Sequence, residues 1–166
     1  KKYFVTVRVI NPDRTLSAPS NQAMTICGPR AEILLESRFA GEQDGYALAR
    51  AAYVRSQSDQ NDLYFYNSGG TDYLASPDRL DGYNRKSRFN KLSLKGSLAE
   101  IRSRVSTVTE VPKADRISVK VGDWIHVRTA DNRNGLLHVV GFAGEGKSRG
   151  MRLEIAFCPA ENEMIF

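Results

Sequence analysis

Apolar and polar residues alternate most regularly over 117–142, ISVKVGDWIHVRTADNRNGLLHVVGF. Ile117, Val119 and Val121 fall on one side of an extended chain. Gly122-Asp123 permits a bend, after which Ile125, Val127 and Thr129 share one face and Trp124, His126 and Arg128 the other. Asp131-Asn132-Arg133-Asn134-Gly135 then supplies turn chemistry between two strand patterns. Beyond the glycine-flanked loop 144–150, Met151, Leu153, Ile155 and Phe157 alternate with Arg152, Glu154, Ala156 and Cys158. This pattern predicts an antiparallel meander with one packed face and one wetter face.

The upstream pattern is more broken. Residues 3–10 alternate as a strand, with Tyr3, Val5, Val7 and Val9 on one face. Asn11-Pro12-Asp13-Arg14 reads as a turn and 22–26 as a second strand. Cys27-Gly28-Pro29 breaks the pattern and divides the chain into 1–27 and 28–166. Residues 31–39 read as strand. The alanine-rich 44–56 segment predicts a helix with Asp44 as its N-cap. Short strands follow at 63–66, 72–76 and 87–94, and a second short helix at 97–104 has Ser97 as its cap. The expected fold is α+β: a mainly antiparallel sheet with two short helices.

Two resemblances lie on these residues. YFVTVRVINPDRTLSAPSNQAMTI resembles the last two strands of a fibronectin type III domain, with its Tyr-x-Val-x-Val strand and later Ser-Ala-Pro-Ser segment. From residue 28 on, the order of features resembles a module of surface-exposed lipoproteins in Bacteroidetes. Those features are Asp62-Leu63-Tyr64-Phe65-Tyr66, Leu74-Ala75-Ser76-Pro77, Arg88-Phe89, and Val121-Gly122-Asp123-Trp124-Ile125-His126-Val127 leading to Asn134-Gly135-Leu136. The chain departs from that pattern with Arg128 where Lys is usual and Asn132 where Gly is usual; asparagine tolerates the left-handed turn conformation. The resemblance implies an exported protein at the cell surface or in the periplasm, and implies no catalytic residues.

The chain has 166 residues, 41% hydrophobic and 26% charged, with a formal charge of +5. Its longest apolar runs are strand-sized, so no transmembrane helix is expected. No leader is legible, because Lys1-Lys2 runs straight into a strand pattern, and the sequence reads as cut from a longer chain. The basic balance permits polyanion binding without requiring it, since the cations are scattered. Cys27 and Cys158 lack metal spacing and could form one bridge in an exported protein.

Candidate chemistry is sparse. His126 and His138 could face each other across a hairpin, but no third metal ligand is evident, so no metal or cofactor is expected. Gly144-Glu145-Gly146-Lys147-Ser148 has the look of half a phosphate loop in the wrong context. Asp72, Asp78 and Asp81 crowd a loop whose side chains more naturally cap turns. A ligand face could assemble from Trp124, His126, Arg128, Tyr73, Tyr83 and Arg85, by stacking and cation–π contact. The leading expectation is therefore a non-enzymatic surface protein whose partners are envelope proteins or glycans. An SH3-like nucleic-acid-binding module is the second reading, and an accessory domain of a polysaccharide-active enzyme the third.

Overall fold

A computed structural model of the chain describes residues 2–5, 23–26, 30–38, 40–41, 43–102 and 110–163. Strands β1 (Lys2–Val5) and β2 (Ala23–Ile26) pair antiparallel, Tyr3 opposite Thr25. The next strands are β3 (Arg30–Glu36), β4 (Gly45–Ala47), β5 (Ala52–Val54), β6 (Leu63–Ser68), β7 (Thr71–Ala75) and β8 (Arg88–Leu92). After helix α1 (Leu98–Arg102) come β9 (Arg116–Ser118), β10 (Trp124–Arg128), β11 (Arg133–Ala143) and β12 (Gly150–Glu161). They form two five-stranded antiparallel sheets, ordered β3-β12-β11-β10-β8 and β5-β4-β6-β7-β9.

The sheets face each other across one core. Ile125, Val127, Leu137, Val139, Leu153 and Phe157 from the first sheet pack with Tyr46, Leu63, Phe65 and Leu74 from the second. They are stitched together along both seams. Where β4 stops pairing with β6, Ser37 bridges Phe65 and the Arg38 N–H donates to the Phe65 carbonyl (2.9 Å). On the other side Phe89 of β8 exchanges hydrogen bonds with Ala114, just before β9. The remaining edges are blunted. β5 is three residues long, and the outward Leu34 N–H of β3 donates to the Tyr53 hydroxyl (3.0 Å).

The α+β expectation is overturned: the architecture is a β-sandwich, and no helix among the described residues exceeds five residues. Residues 44–56 are not helical. They form β4, a single 3₁₀ turn at Leu48–Arg50 and β5. Gly45, Tyr46, Ala47 and Leu48 are all buried in succession, unlike the one-sided burial of an amphipathic surface helix. Polar anchors hold this path. Asp44 accepts from the Ser56 N–H (2.7 Å) and hydroxyl (2.6 Å) instead of capping a helix. Asn61 Oδ1 accepts from the Tyr46 and Leu63 N–H groups, and a Cβ on Gly45 would sit 2.8 Å from that oxygen. Alanine's helix propensity is a weak preference that these tertiary bonds override. At 97–104 the helix is the single turn α1, with Ser97 and Glu100 capping each other reciprocally. The rest of that segment lies outside the described residues.

The expected wetter face of the meander is partly covered, while Arg152 and Glu154 on β12 keep contact with solvent. Ile101, Leu98, Leu92 and Leu94 close over Trp124, Leu136 and Ala156 on the outer side of the first sheet. β10 is therefore buried on both faces. His126 is 3% exposed, its Nε2 2.9 Å from Asn134 Oδ1. Burial pushes the imidazole's pKa down, outweighing the upward pull of Asn134 and Glu110.

Two expectations follow. A Cβ at Gly135 would lie 2.8 Å from Val127 Cγ1 and 3.3 Å from Phe157 Cδ2. Gly135→Ala should cost about 1–3 kcal/mol, read as a lower urea midpoint at unchanged slope. His126 is held neutral in the fold, so the unfolded chain takes up its proton first as pH falls. Stability should therefore drop as pH falls from the ordinary histidine value of 6.5 towards the lower folded value. Urea titrations of His126→Gln against the parent should show a flatter profile across that window.

Candidate functional site

The register of β8 on β10 sets Arg88 directly opposite Arg128. Like charges placed opposite one another on neighbouring strands repel. Lys86 stands two residues before Arg88 and adds a third cation. Together with Asn84, Thr129 and Asn132 these three line an open pocket of about 460 Å³. The pocket lies beside the turn that joins β10 to β11, and the sequence holds that turn firmly. Asn132 adopts φ 56°, and its N–H donates to the Thr129 carbonyl (3.0 Å). The Asn162 N–H donates to the Asn132 carbonyl (2.8 Å), tying the end of β12 to the same turn.

The three cations are unequally compensated. Arg88 makes a two-pronged pair with Asp78 (3.1 and 2.8 Å). Burial opposes ionisation of Asp78, but the Arg88 and Ser76 hydrogen bonds outweigh it and hold the carboxyl below its usual range. Arg128 donates to a neutral group, Asn162 Oδ1 (2.7 Å). Lys86 is exposed and makes no ion pair among the described residues. The pocket therefore carries uncompensated positive charge at Arg128 and Lys86.

Arg85 positions the turn from the opposite side. Its Nε donates to Asp62 Oδ1 (2.7 Å) and its Nη2 to Asp131 Oδ2 (2.8 Å). Asp62 is buried and also accepts from the Leu48 N–H (2.8 Å). Burial pushes the Asp62 carboxyl up, against the pull of Arg85, whereas the Arg85 hydrogen bond pulls the more exposed Asp131 down. One guanidinium thus joins the second sheet to the β10–β11 turn.

The residues expected to share a ligand face are dispersed. Trp124 is buried, stacked on His138 at 4.2 Å, and His138 Nδ1 lies 2.9 Å from Glu154 Oε2. His126 is enclosed on the same side. Arg128 alone of that trio reaches the pocket, and Arg85 is committed to its two carboxylates. Tyr73 belongs to a column on the outer face of the second sheet. Tyr64 and Tyr66 stack at 5.8 Å, Tyr66 and Tyr73 at 5.2 Å, and the Arg116 guanidinium lies 5.0 Å over Tyr73 from the strand beyond. Arg38 lies 5.9 Å over Tyr64 at the other end. These ring faces are occupied by one another and by guanidinium groups. Tyr83 packs against the cluster of Tyr64, Ala75 and Leu80.

Other candidates also find structural partners. Asp72 takes a two-pronged bond from Arg149 (2.7 and 2.6 Å), and Asp78 is held by Arg88. Cys158 is a buried free thiol; Cys27 lies outside the described residues. Among the described residues no group of three or more His, Cys, Asp or Glu side chains is placed to hold a metal ion. No helix there is long and apolar enough to cross a membrane. Reasoning from sequence missed Lys86, Asn84 and Thr129 as pocket residues, because the opposition of Arg88 and Arg128 exists only once the strand register is known.

Arg85→Met leaves Asp62 buried without its cation. It should lose about 3–5 kcal/mol at neutral pH, and adding Asp62→Asn should recover part of that loss in a double-mutant cycle by urea unfolding.

In comparisons with protein-family models, with curated proteins and with solved structures, no match to this chain was found.

Proposed function

We propose that this chain is a non-catalytic β-sandwich module that holds anionic polysaccharide at a cell surface. The observation that carries the reading is the Arg88–Arg128 opposition with Lys86 beside it, in an open pocket. The register brings two like charges to the lining of one pocket with Lys86 beside them, and an anion seated there offsets their repulsion. Arginine's planar fork suits carboxylate and sulfate groups in particular. The surface location rests on the resemblance to surface lipoproteins. Adhesion or glycan handling by an envelope assembly is the cellular role that fits such a module.

Nucleic acid is the second reading, favoured by the same cations and the overall charge of +5. Single-stranded nucleic acid is usually held by open aromatic faces as well as by cations. Here Trp124 is buried and the Tyr64–Tyr66–Tyr73 column is filled, which favours the glycan.

Calorimetric titration at low salt with a polyuronate, a neutral glucan and single-stranded DNA tests both readings. The polyuronate should bind, with affinity falling as salt rises, and the glucan should not. Arg128→Gln should weaken polyuronate binding roughly tenfold, the scale of one charge-assisted hydrogen bond, with the urea midpoint unchanged or higher. Indifference of polyuronate binding to Arg128→Gln would remove the pocket from the function. Tighter binding of DNA than of polyuronate would replace the glycan with nucleic acid.

A further inference from the structure

A second cavity, of about 330 Å³, opens at the far end of the first sheet. It lies where three chain ends meet: Ser37 after β3, Asn67 in the β6–β7 hairpin, and Gly146-Lys147 in the loop between β11 and β12. The loop is the Gly144-Glu145-Gly146-Lys147-Ser148 segment that the basic-pocket reading leaves unused. It is firmly shaped. Gly144 and Gly146 have φ 68° and 55°, and a Cβ on Gly144 would fall 2.4 Å from the Ser148 carbonyl oxygen. Arg149 anchors it to the neighbouring hairpin through Asp72, and its guanidinium lies 4.5 Å over the Phe142 ring.

The polar groups at this cavity are incompletely used. Ser37 is buried, and its hydroxyl has no hydrogen-bond partner among the described residues. An unsatisfied buried hydroxyl is costly and calls for a partner such as water or a ligand. The Ser37 backbone is fixed, its N–H donating to the Arg149 carbonyl (3.0 Å), and the residue lines the cavity. Asn67 donates its amide to Asp72 Oδ1 (2.8 Å), which leaves its own carbonyl oxygen as an acceptor. Lys147 is exposed, with no ion pair among the described residues.

We infer that this cavity is a second binding site, for a small hydroxylated anion the size of one acidic sugar. Lys147 takes the anionic group, and Ser37 and Asn67 offer a donor and an acceptor to its hydroxyls. The cavity is at the lower end of the range for small-molecule sites. Carboxylate and phosphate ester share this chemistry, and the proposal does not depend on the basic pocket.

The test is an NMR titration of the isotope-labelled chain with D-glucuronate, D-glucose 6-phosphate and D-glucose, following the amides of Asn67, Gly146 and Lys147. One of the two anions should saturate these shifts with a dissociation constant below about 1 mM, and glucose should not. Which anion binds more tightly separates carboxylate from phosphate. Ser37→Ala and Lys147→Gln should each weaken binding read at these amides roughly tenfold, while Arg128→Gln, which alters only the distant basic pocket, leaves the shifts of Asn67, Gly146 and Lys147 in place. Lys147 is exposed, so its variant reports binding even if Ser37→Ala folds poorly. The inference is overturned if neither anion moves these amides, if glucose moves them equally, or if Lys147→Gln binds like the parent. It is also overturned if Arg128→Gln abolishes the shifts, because the ligand then sits in the basic pocket.

Discussion

The register of β10 is the constraint on which most of this molecule depends. Its five residues send Ile125 and Val127 into the shared core, Trp124 under the short helix and His126 into a buried position beside Asn134. A strand buried on both faces cannot slip by one residue without exchanging its whole set of contacts. The same register places Trp124 beside His138 and Arg128 beside Arg88. The core, the covered outer face and the basic pocket are therefore one decision taken once, along a single short strand.

Charge in this fold is used mainly to join parts that the core does not. Arg85 ties the second sheet to the β10–β11 turn, and Arg149 ties two hairpin tips. The Arg38 and Arg116 guanidiniums close the tyrosine column at either end. Arg128 faces another arginine and an amide, and Lys86 and Lys147 have no acid beside them among the described residues. Both cavities proposed to bind ligands contain such a cation.

The closing meander was legible in the sequence because period-two alternation is a strong signal and 117–157 carries it almost unbroken. The aromatic strand at 63–66 and the Ser97 cap were legible for similarly local reasons. The 44–56 segment was not. Its alanines suggest helix, and the bonds that overrule them come from Asn61 and from Asp62 near the end of a loop. The covered face of β10 was hidden too, since nothing in Trp124, His126 and Arg128 announces that Leu98 and Ile101 will close over Trp124. Of the expected ligand face, Arg128 alone reaches the pocket, because the others were chosen for residue type. What gathers side chains into a site is strand pairing across long stretches of chain, which local pattern does not encode.

The Tyr53 hydroxyl on the Leu34 amide carries a consequence for how copies of this chain behave together. An outward-facing amide on a sheet's last strand is an invitation for another polypeptide to add itself alongside. Leu34, half turned to solvent, would make that addition stickier. A phenol from the facing sheet occupies the donor without supplying a further strand, so the ladder ends there. A side chain in this position acts as a stopper against the addition of a further strand.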